Sequence, residues 1–155
     1  MNLILTGFMG SGKTTIGKKL AKKINYKFID TDAVIERKMK MPIKKIFLLY
    51  GEFFFRRLER RILLNINLKE SFILSTGGGM PCFKNNINIM KNKGIVVYLK
   101  TPKNRLFKVD KSNRPLFKKA KILLNKRKYC YQKADFTIEN EKIDKTLKKL
   151  IKLVR

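Results

Sequence analysis

The sequence contains no histidine and no tryptophan, two cysteines, four prolines, and 11 acidic residues against 38 basic ones. Without histidine there is no imidazole base, no histidine-based triad and no histidine metal ligand, so acid–base chemistry falls to a carboxylate, a lysine or the substrate itself. Cys82 and Cys130 stand far apart and lack the paired spacing of zinc sites, so they are expected as separate, reduced thiols in a reducing compartment. No apolar run approaches the ~20 residues needed to span a bilayer. The first strand signal begins at Leu3, which leaves no space for a leader, and a soluble cytoplasmic protein is expected. A chain of 155 residues fits one domain, residues 1–155.

Acidic residues are scarce enough to leave a formal net charge of +27. A charge of that size suits a polyanion such as nucleic acid. Lysines outnumber arginines about three to one, however, and they are spread along the chain with few aromatic residues among them to stack on bases. Lysine, asparagine and isoleucine share A/T-rich codons, so coding bias accounts for the composition without a nucleic-acid partner.

What is present is concentrated first at Leu3-Ile4-Leu5-Thr6-Gly7-Phe8-Met9-Gly10-Ser11-Gly12-Lys13-Thr14-Thr15, an apolar strand running into the pattern G-x-x-x-x-G-K-[ST]. Gly7, Gly10 and Gly12 permit the positive φ angles that turn successive backbone N–H groups toward phosphate oxygens. Lys13 supplies a cation and Thr14 a hydroxyl for Mg²⁺. The helix that follows, with Ile16, Leu20, Ala21 and Ile24 on one face, directs its positive end at the anion.

Residues 26–29 then read as a strand ending in Asp30-Thr31-Asp32, which sets two carboxylates at a strand's C-terminal end, where α/β sheets bind ligands. One carboxylate can order Mg²⁺ through water while the other accepts a proton from a hydroxyl substrate; the plain alternative is that Asp32 caps a helix over residues 33–40. Beyond a break at Pro42, a short helix to residue 50 and a longer one over 52–68 carry Arg56 and Glu59 three apart, either a clamped guanidinium or a solvated face. Residues 72–75 form a buried strand entering Thr76-Gly77-Gly78-Gly79, a close approach to a ligand or else a plain turn. A helix over 83–93, a β-branched strand over 94–99, and a helix opened by Thr101-Pro102 and reaching residue 108 come next. Arg114-Pro115-Leu116 leads to a helical stretch ending near 133 that holds Arg127 and Tyr131. A strand over 135–138 and an amphipathic helix close the chain. This alternation predicts a parallel, right-handed sheet of about five strands covered on both faces.

The ordered set of the P-loop, Asp30-Thr31-Asp32, Gly51-Glu52 with Phe55-Arg56-Arg57-Leu58-Glu59, Thr76-Gly77-Gly78-Gly79, Val97-Tyr98-Leu99 and Arg114-Pro115-Leu116 resembles the shikimate kinases over nearly the whole chain. The resemblance implies a three-layer α/β P-loop kinase fold with sheet order 2-3-1-4-5, a shikimate-binding region at about 32–61 and a mobile lid at about 109–121. It also implies transfer of the γ-phosphoryl group of ATP, with Mg²⁺, to the 3-hydroxyl of shikimate in aromatic amino-acid biosynthesis. Gly10, Ser11, Gly12, Lys13, Thr14 and Thr15 would then hold the ATP phosphates. Thr14, and Asp30 through water, would hold Mg²⁺. Asp32 would bind the ring hydroxyls and act as base, Arg56 and Arg127 would clamp the shikimate carboxylate with Glu59 behind Arg56, and Gly77, Gly78 and Gly79 would bring backbone N–H groups to the same ligand. Arg114 would neutralise phosphate charge from the lid. An adenine-stacking arginine usual in the family has no counterpart in register: Phe107 is the candidate for stacking on the purine, with Arg105 or Lys108 as its competitors. Shikimate and ATP are the expected partners, with neither membrane nor nucleic acid, and a monomer is expected. A related small-molecule kinase, or a basic P-loop protein that binds nucleic acid, are the competing functions.

Overall fold

The computed structural model describes residues 1–106 and 120–155. Its centre is β1 (Leu3–Thr6), four fully buried residues. Strand β1 pairs in parallel with β3 (Phe72–Ser75) on one side and β4 (Ile95–Lys100) on the other. Outside these lie β2 (Lys27–Asp30) and β5 (Phe136–Glu139), giving the order β2-β3-β1-β4-β5 with every described pairing parallel. That is the expected order. The register sets Leu5 beside Ser75, and Ser75 beside Asp30. The C-terminal ends of β1, β2 and β3 therefore meet at one edge of the sheet, and each runs directly into a motif.

Successive strand residues point to opposite faces, and the core divides accordingly. Leu3, Leu5, Ile73, Val97 and Leu99 pack on one face under Ile16 and Leu20 of α1 (Lys13–Ile24) and Leu147 and Leu150 of α7 (Ile143–Val154). Ile4, Phe72, Leu74 and Val96 pack on the other, against Leu63 of α3 (Ile43–Leu64), Met80, and Ile87 and Met90 of α4 (Asn86–Lys93). Each fully buried aliphatic side chain of this kind contributes about 1.5–3 kcal/mol. A separate apolar cluster of Ile35, Ile46, Phe55 and Ile62 joins α2 (Thr31–Met39) to α3 and makes a small satellite core beside the sheet.

The boundaries depart from expectation in places that have physical causes. Helix α2 begins at Thr31 rather than residue 33, because Asp30, extended at φ −112°, is its N-cap and accepts from the backbone N–H groups of Asp32 and Ala33. The capping role considered for Asp32 belongs to Asp30. The two helices expected on either side of Gly51 run on as α3, kinked where Gly51 adopts φ 82°, ψ 171°, a conformation open essentially to glycine alone. Helix α3 stops at Leu64, and a 3₁₀ turn at Met80–Cys82 precedes α4. Helices α5 (Lys103–Leu106) and α6 (Ala120–Tyr131) flank the residues outside the described set.

The two cysteines also depart from expectation. Rather than standing as separate thiols, Cys82 and Cys130 form a disulfide with Cα atoms 5.3 Å apart across 48 residues of sequence. Their separation along the chain carried no sign of this, since the parallel sheet returns α6 to the end of the glycine turn.

Candidate active site

Gly7, Gly10 and Gly12 adopt φ values of 149°, 78° and 87°, so the loop after β1 has the left-handed turns that its glycines allow. A Cβ on Gly7 would stand 2.9 Å from both Leu99 O and Ser11 Oγ, which leaves no space for a side chain there. Lys13, buried at 7% exposure, reaches back across the loop, and its Nζ donates to Gly7 O at 2.8 Å, Phe8 O at 2.9 Å and Ser11 Oγ at 3.3 Å. The loop is also held from far along the chain. Buried Asn140, just past β5, donates from Nδ2 to Ser11 O at 2.6 Å and accepts from Thr146 Oγ1 at 2.9 Å.

Thr14 Oγ1 donates to Asp30 Oδ2 at 2.6 Å and lies 3.4 Å from Ser75 Oγ. Three oxygen-bearing side chains from α1, β2 and β3 thus converge beside the phosphate loop. These residues, with Lys13, Asp32, Gly77 and Gly78, line a cavity of about 320 Å³ that extends to Arg105 and Ile143. Arg105 points its Nη1 at the carbonyls of Asn140 and Glu141, which commits that nitrogen to the β5–α7 turn at the cavity's edge. Phe107 and Arg114, and most of the span assigned to the lid, lie outside the described residues.

The glycine turn after β3 separates this cavity from a second, of about 480 Å³, bordered by Arg56, Gly79, Phe83 and Arg127. Thr31 Oγ1 accepts from Gly77 N at 3.0 Å and fixes the turn against α2. Close approach is what requires glycine here. A Cβ on Gly77 would lie 2.2 Å from Glu59 Oε1 and 3.3 Å from Asp32 Oδ1, and one on Gly79 would lie 2.3 Å from Arg56 Nη2 and 2.9 Å from Arg127 Nη2. Helices α3 and α6 therefore bring two guanidiniums to a single glycine. Arg56 is gripped by Glu59 Oε2 at 2.7 Å and Glu52 Oε1 at 3.2 Å, the clamped alternative rather than a solvated face.

Burial shapes the charges. It is the largest single influence on the Arg56 cation and disfavours it, but Glu59 and Glu52 together hold that guanidinium above its ordinary value. Burial raises the Glu59 carboxyl to about 7 despite the opposing pull of Arg56, and the nearby Asp32 carboxylate adds to the rise. Guanidinium does not deprotonate, so Arg56 stays cationic and Glu59 is the member of the pair that titrates. Arg127 is pulled below its ordinary value by burial and by Arg56. Two neighbouring buried cations whose carboxylate partners lie on the Arg56 side form a demand for an anion between them. Tyr131, also buried, stacks on Tyr98 with ring centroids 4.9 Å apart and donates its hydroxyl to Gly78 O at 2.6 Å, which steadies α6 against the turn.

A sequence profile described as shikimate kinase matches residues 9–155. The chain belongs to the shikimate kinase family. It is 45% identical over 147 residues to a shikimate kinase of a Sulfurihydrogenibium species, covering 91% of this chain and 89% of the relative. It is 42% identical to that of Persephonella marina, covering 90% of this chain and 89% of the relative. Its fold matches the structure of Acinetobacter baumannii shikimate kinase in complex with shikimate, with TM-score 0.92 and 35% identity over 99% of this chain and 92% of that one. The Bacteroides thetaiotaomicron shikimate kinase matches with TM-score 0.89 and 33% identity, covering 99% of this chain and 98% of that one. Membership makes the chain an ATP-dependent transferase of this family. Among the described residues, no helix is long and apolar enough to cross a membrane.

The geometry brings together the residues singled out from sequence on either side of one turn: Gly10, Gly12, Lys13, Thr14, Thr15, Asp30, Asp32, Gly77 and Gly78 on the first cavity, Arg56, Gly79 and Arg127 on the second. Ser75 and Asn140 join them without having been anticipated, and Thr31 and Tyr131, named from sequence without a role, join them through their hydrogen bonds to the glycine turn. Ser75 had a signal, since it ends a strand next to Thr76-Gly77; Asn140 had none.

Proposed function

We propose that the chain transfers the γ-phosphoryl group of ATP to the 3-hydroxyl of shikimate, giving shikimate 3-phosphate and ADP on the route to chorismate and the aromatic amino acids, in the cytoplasm and as a monomer. The observation that carries this reading is the pair of guanidiniums, Arg56 and Arg127, converging on Gly79 one glycine turn away from the phosphate loop. A planar carboxylate held between two forked donors fixes a ring so that one hydroxyl faces the phosphate cavity.

Phosphoryl transfer asks a protein mainly for positioning and for charge placed where it develops. Gly10, Ser11, Gly12 and Thr15 bind phosphate oxygens through the loop. Lys13, drawn from its loop carbonyls, stabilises the transferring group. Thr14 and Asp30 offer hard oxygen donors that fit Mg²⁺, Thr14 directly and Asp30 through water, and the ion supplies charge neutralisation on the phosphates when bound. Asp32 accepts the proton of the 3-hydroxyl as its oxygen attacks phosphorus and ADP leaves. Gly77 to Gly79 add backbone contacts to shikimate. Residues 32–61 act as the shikimate-binding region of a single domain and 109–121 as the lid, from which Arg114 approaches the phosphates and next to which Phe107 stacks on adenine.

The test is a coupled assay on the purified chain with ATP and shikimate, gluconate or a nucleoside monophosphate as acceptor. Turnover with shikimate at least a hundredfold above the others is expected. Comparable turnover with another acceptor refutes the assignment.

A further inference from the structure

The disulfide lies at the site rather than away from it. Cys82 ends the 3₁₀ turn that starts one residue after Gly79, and Cys130 stands three residues beyond Arg127, on the same face of α6. Cys82 Sγ is 3.9 Å from the carbonyl oxygen of Arg127 and borders the cavity that Arg56 and Arg127 share. Of the two guanidiniums, Arg56 is held by its own glutamates on α3. Arg127, whose guanidinium lies 5.9 Å from the centroid of the Phe8 ring, depends on α6 for its distance from Gly79, and among the described residues α6 is tied to the turn by the Tyr131 hydroxyl on Gly78 O and by this disulfide. Both sulfur-bearing residues are half-buried, within reach of a small reagent.

We propose that Cys82 and Cys130 form a reversible dithiol–disulfide site that couples the affinity for the substrate carboxylate to thiol redox state, a role resting on the assignment of Arg56 and Arg127 to shikimate. Closure needs a low-molecular-weight disulfide, RSSR, as oxidant. One cysteine thiolate attacks RSSR and expels a first thiolate, and the second cysteine attacks the resulting mixed disulfide and expels another. The two cysteines together lose two electrons and two protons, and RSSR becomes two RSH. Reopening is the same exchange in reverse, driven by a dithiol. Closed, the bridge fixes Arg127 relative to Gly79 and preorganises the carboxylate clamp. Open, α6 keeps its apolar packing and Tyr131, so the chain stays folded, but the Arg127 side of the clamp gains freedom that shikimate must then remove on binding.

The full chain is incubated with oxidised or reduced glutathione, free thiols are counted by alkylation and intact mass, and KM for shikimate and for ATP is measured in each state. The expected result is no alkylated cysteine after oxidation and two after reduction, with KM for shikimate three- to tenfold higher in the reduced state and KM for ATP and kcat unchanged within twofold. Cys130→Ser is expected to show the reduced-state KM under both conditions, and Cys82→Ser the same. Two alkylated cysteines after oxidation, or a KM for shikimate that ignores redox state, overturns the proposal alone. Absence of shikimate turnover in both states overturns the substrate assignment and this inference with it.

Discussion

Gly79→Ala is the sharpest perturbation the site offers, because the three atoms nearest to the added methyl group all belong to the two guanidiniums. Gly79 has φ −92° and ψ −8°, ordinary values for alanine, so the backbone is not strained by the change. The added Cβ would stand 2.3 Å from Arg56 Nη2 and 2.5 Å from its Cζ, where ordinary contact begins at 3.4 Å, so the guanidinium must retreat by about 1 Å. It has little freedom to do so, since Arg56 is buried and its two nitrogens are bound to Glu59 and Glu52. A charge-assisted hydrogen bond contributes about 1.5–3 kcal/mol, and a displacement of 1 Å removes the paired geometry that a bound carboxylate needs. A loss of about 2–3 kcal/mol corresponds to a rise of about 30- to 150-fold in KM for shikimate. The proposed function puts ATP in the other cavity, so its KM is expected to stay within twofold. Steady-state kinetics with each substrate varied in turn, on protein whose circular dichroism matches the parent, decides the matter. A shikimate KM within threefold of the parent, or an equal rise in the KM for ATP, refutes the clamp.

Lys13→Met is expected to leave the fold intact and lower kcat at least about a hundredfold, since a preorganised cation at the transferring phosphoryl group is worth roughly 3 kcal/mol; a variant retaining more than about a tenth of kcat refutes the assignment. Glu59 governs a pH effect. Its carboxyl is raised from 4.5 to about 7 by burial, so the folded state holds a proton that the unfolded chain has already lost. That contribution to stability is full below about pH 4.5 and disappears as pH rises through about 7, amounting to about 3 kcal/mol. The urea midpoint of the parent is therefore expected to fall between pH 5 and pH 8 more steeply than that of Glu59→Gln, and parallel profiles for the two proteins refute a titrating Glu59.

The phosphate loop and the strand edge were legible because their signals are local. Glycines spaced for positive φ, a β-branched run before Leu99 and carboxylates at a strand end each declare their geometry within a few residues. Arg56 with Glu59 was legible at helical spacing, though only burial decided between a clamp and a solvated face. What escaped notice was set by distance or by backbone angle. The choice of Asp30 over Asp32 as helix cap depends on which residue is extended, and the pattern Asp-x-Asp does not say. The joining of two helices through Gly51 depends on a torsion that composition does not reveal. Cys82 with Cys130, Tyr131 with Gly78, and Asn140 with Ser11 are pairings made by the sheet order, after the strands are arranged.

Asn140 has a consequence for the order of assembly. The carbonyl of Ser11 accepts from Thr101 Oγ1 at 3.3 Å and, more closely, at 2.6 Å from Asn140 Nδ2, a side chain 129 positions later that is oriented by Thr146 of α7. Chains emerge from the ribosome N-terminus first, at about 5–20 residues per second. The peptide that shapes the phosphate pocket is thus synthesised well before the residues that brace it, so a nascent chain carries its nucleotide-binding motif without the Asn140 brace until α7 has emerged.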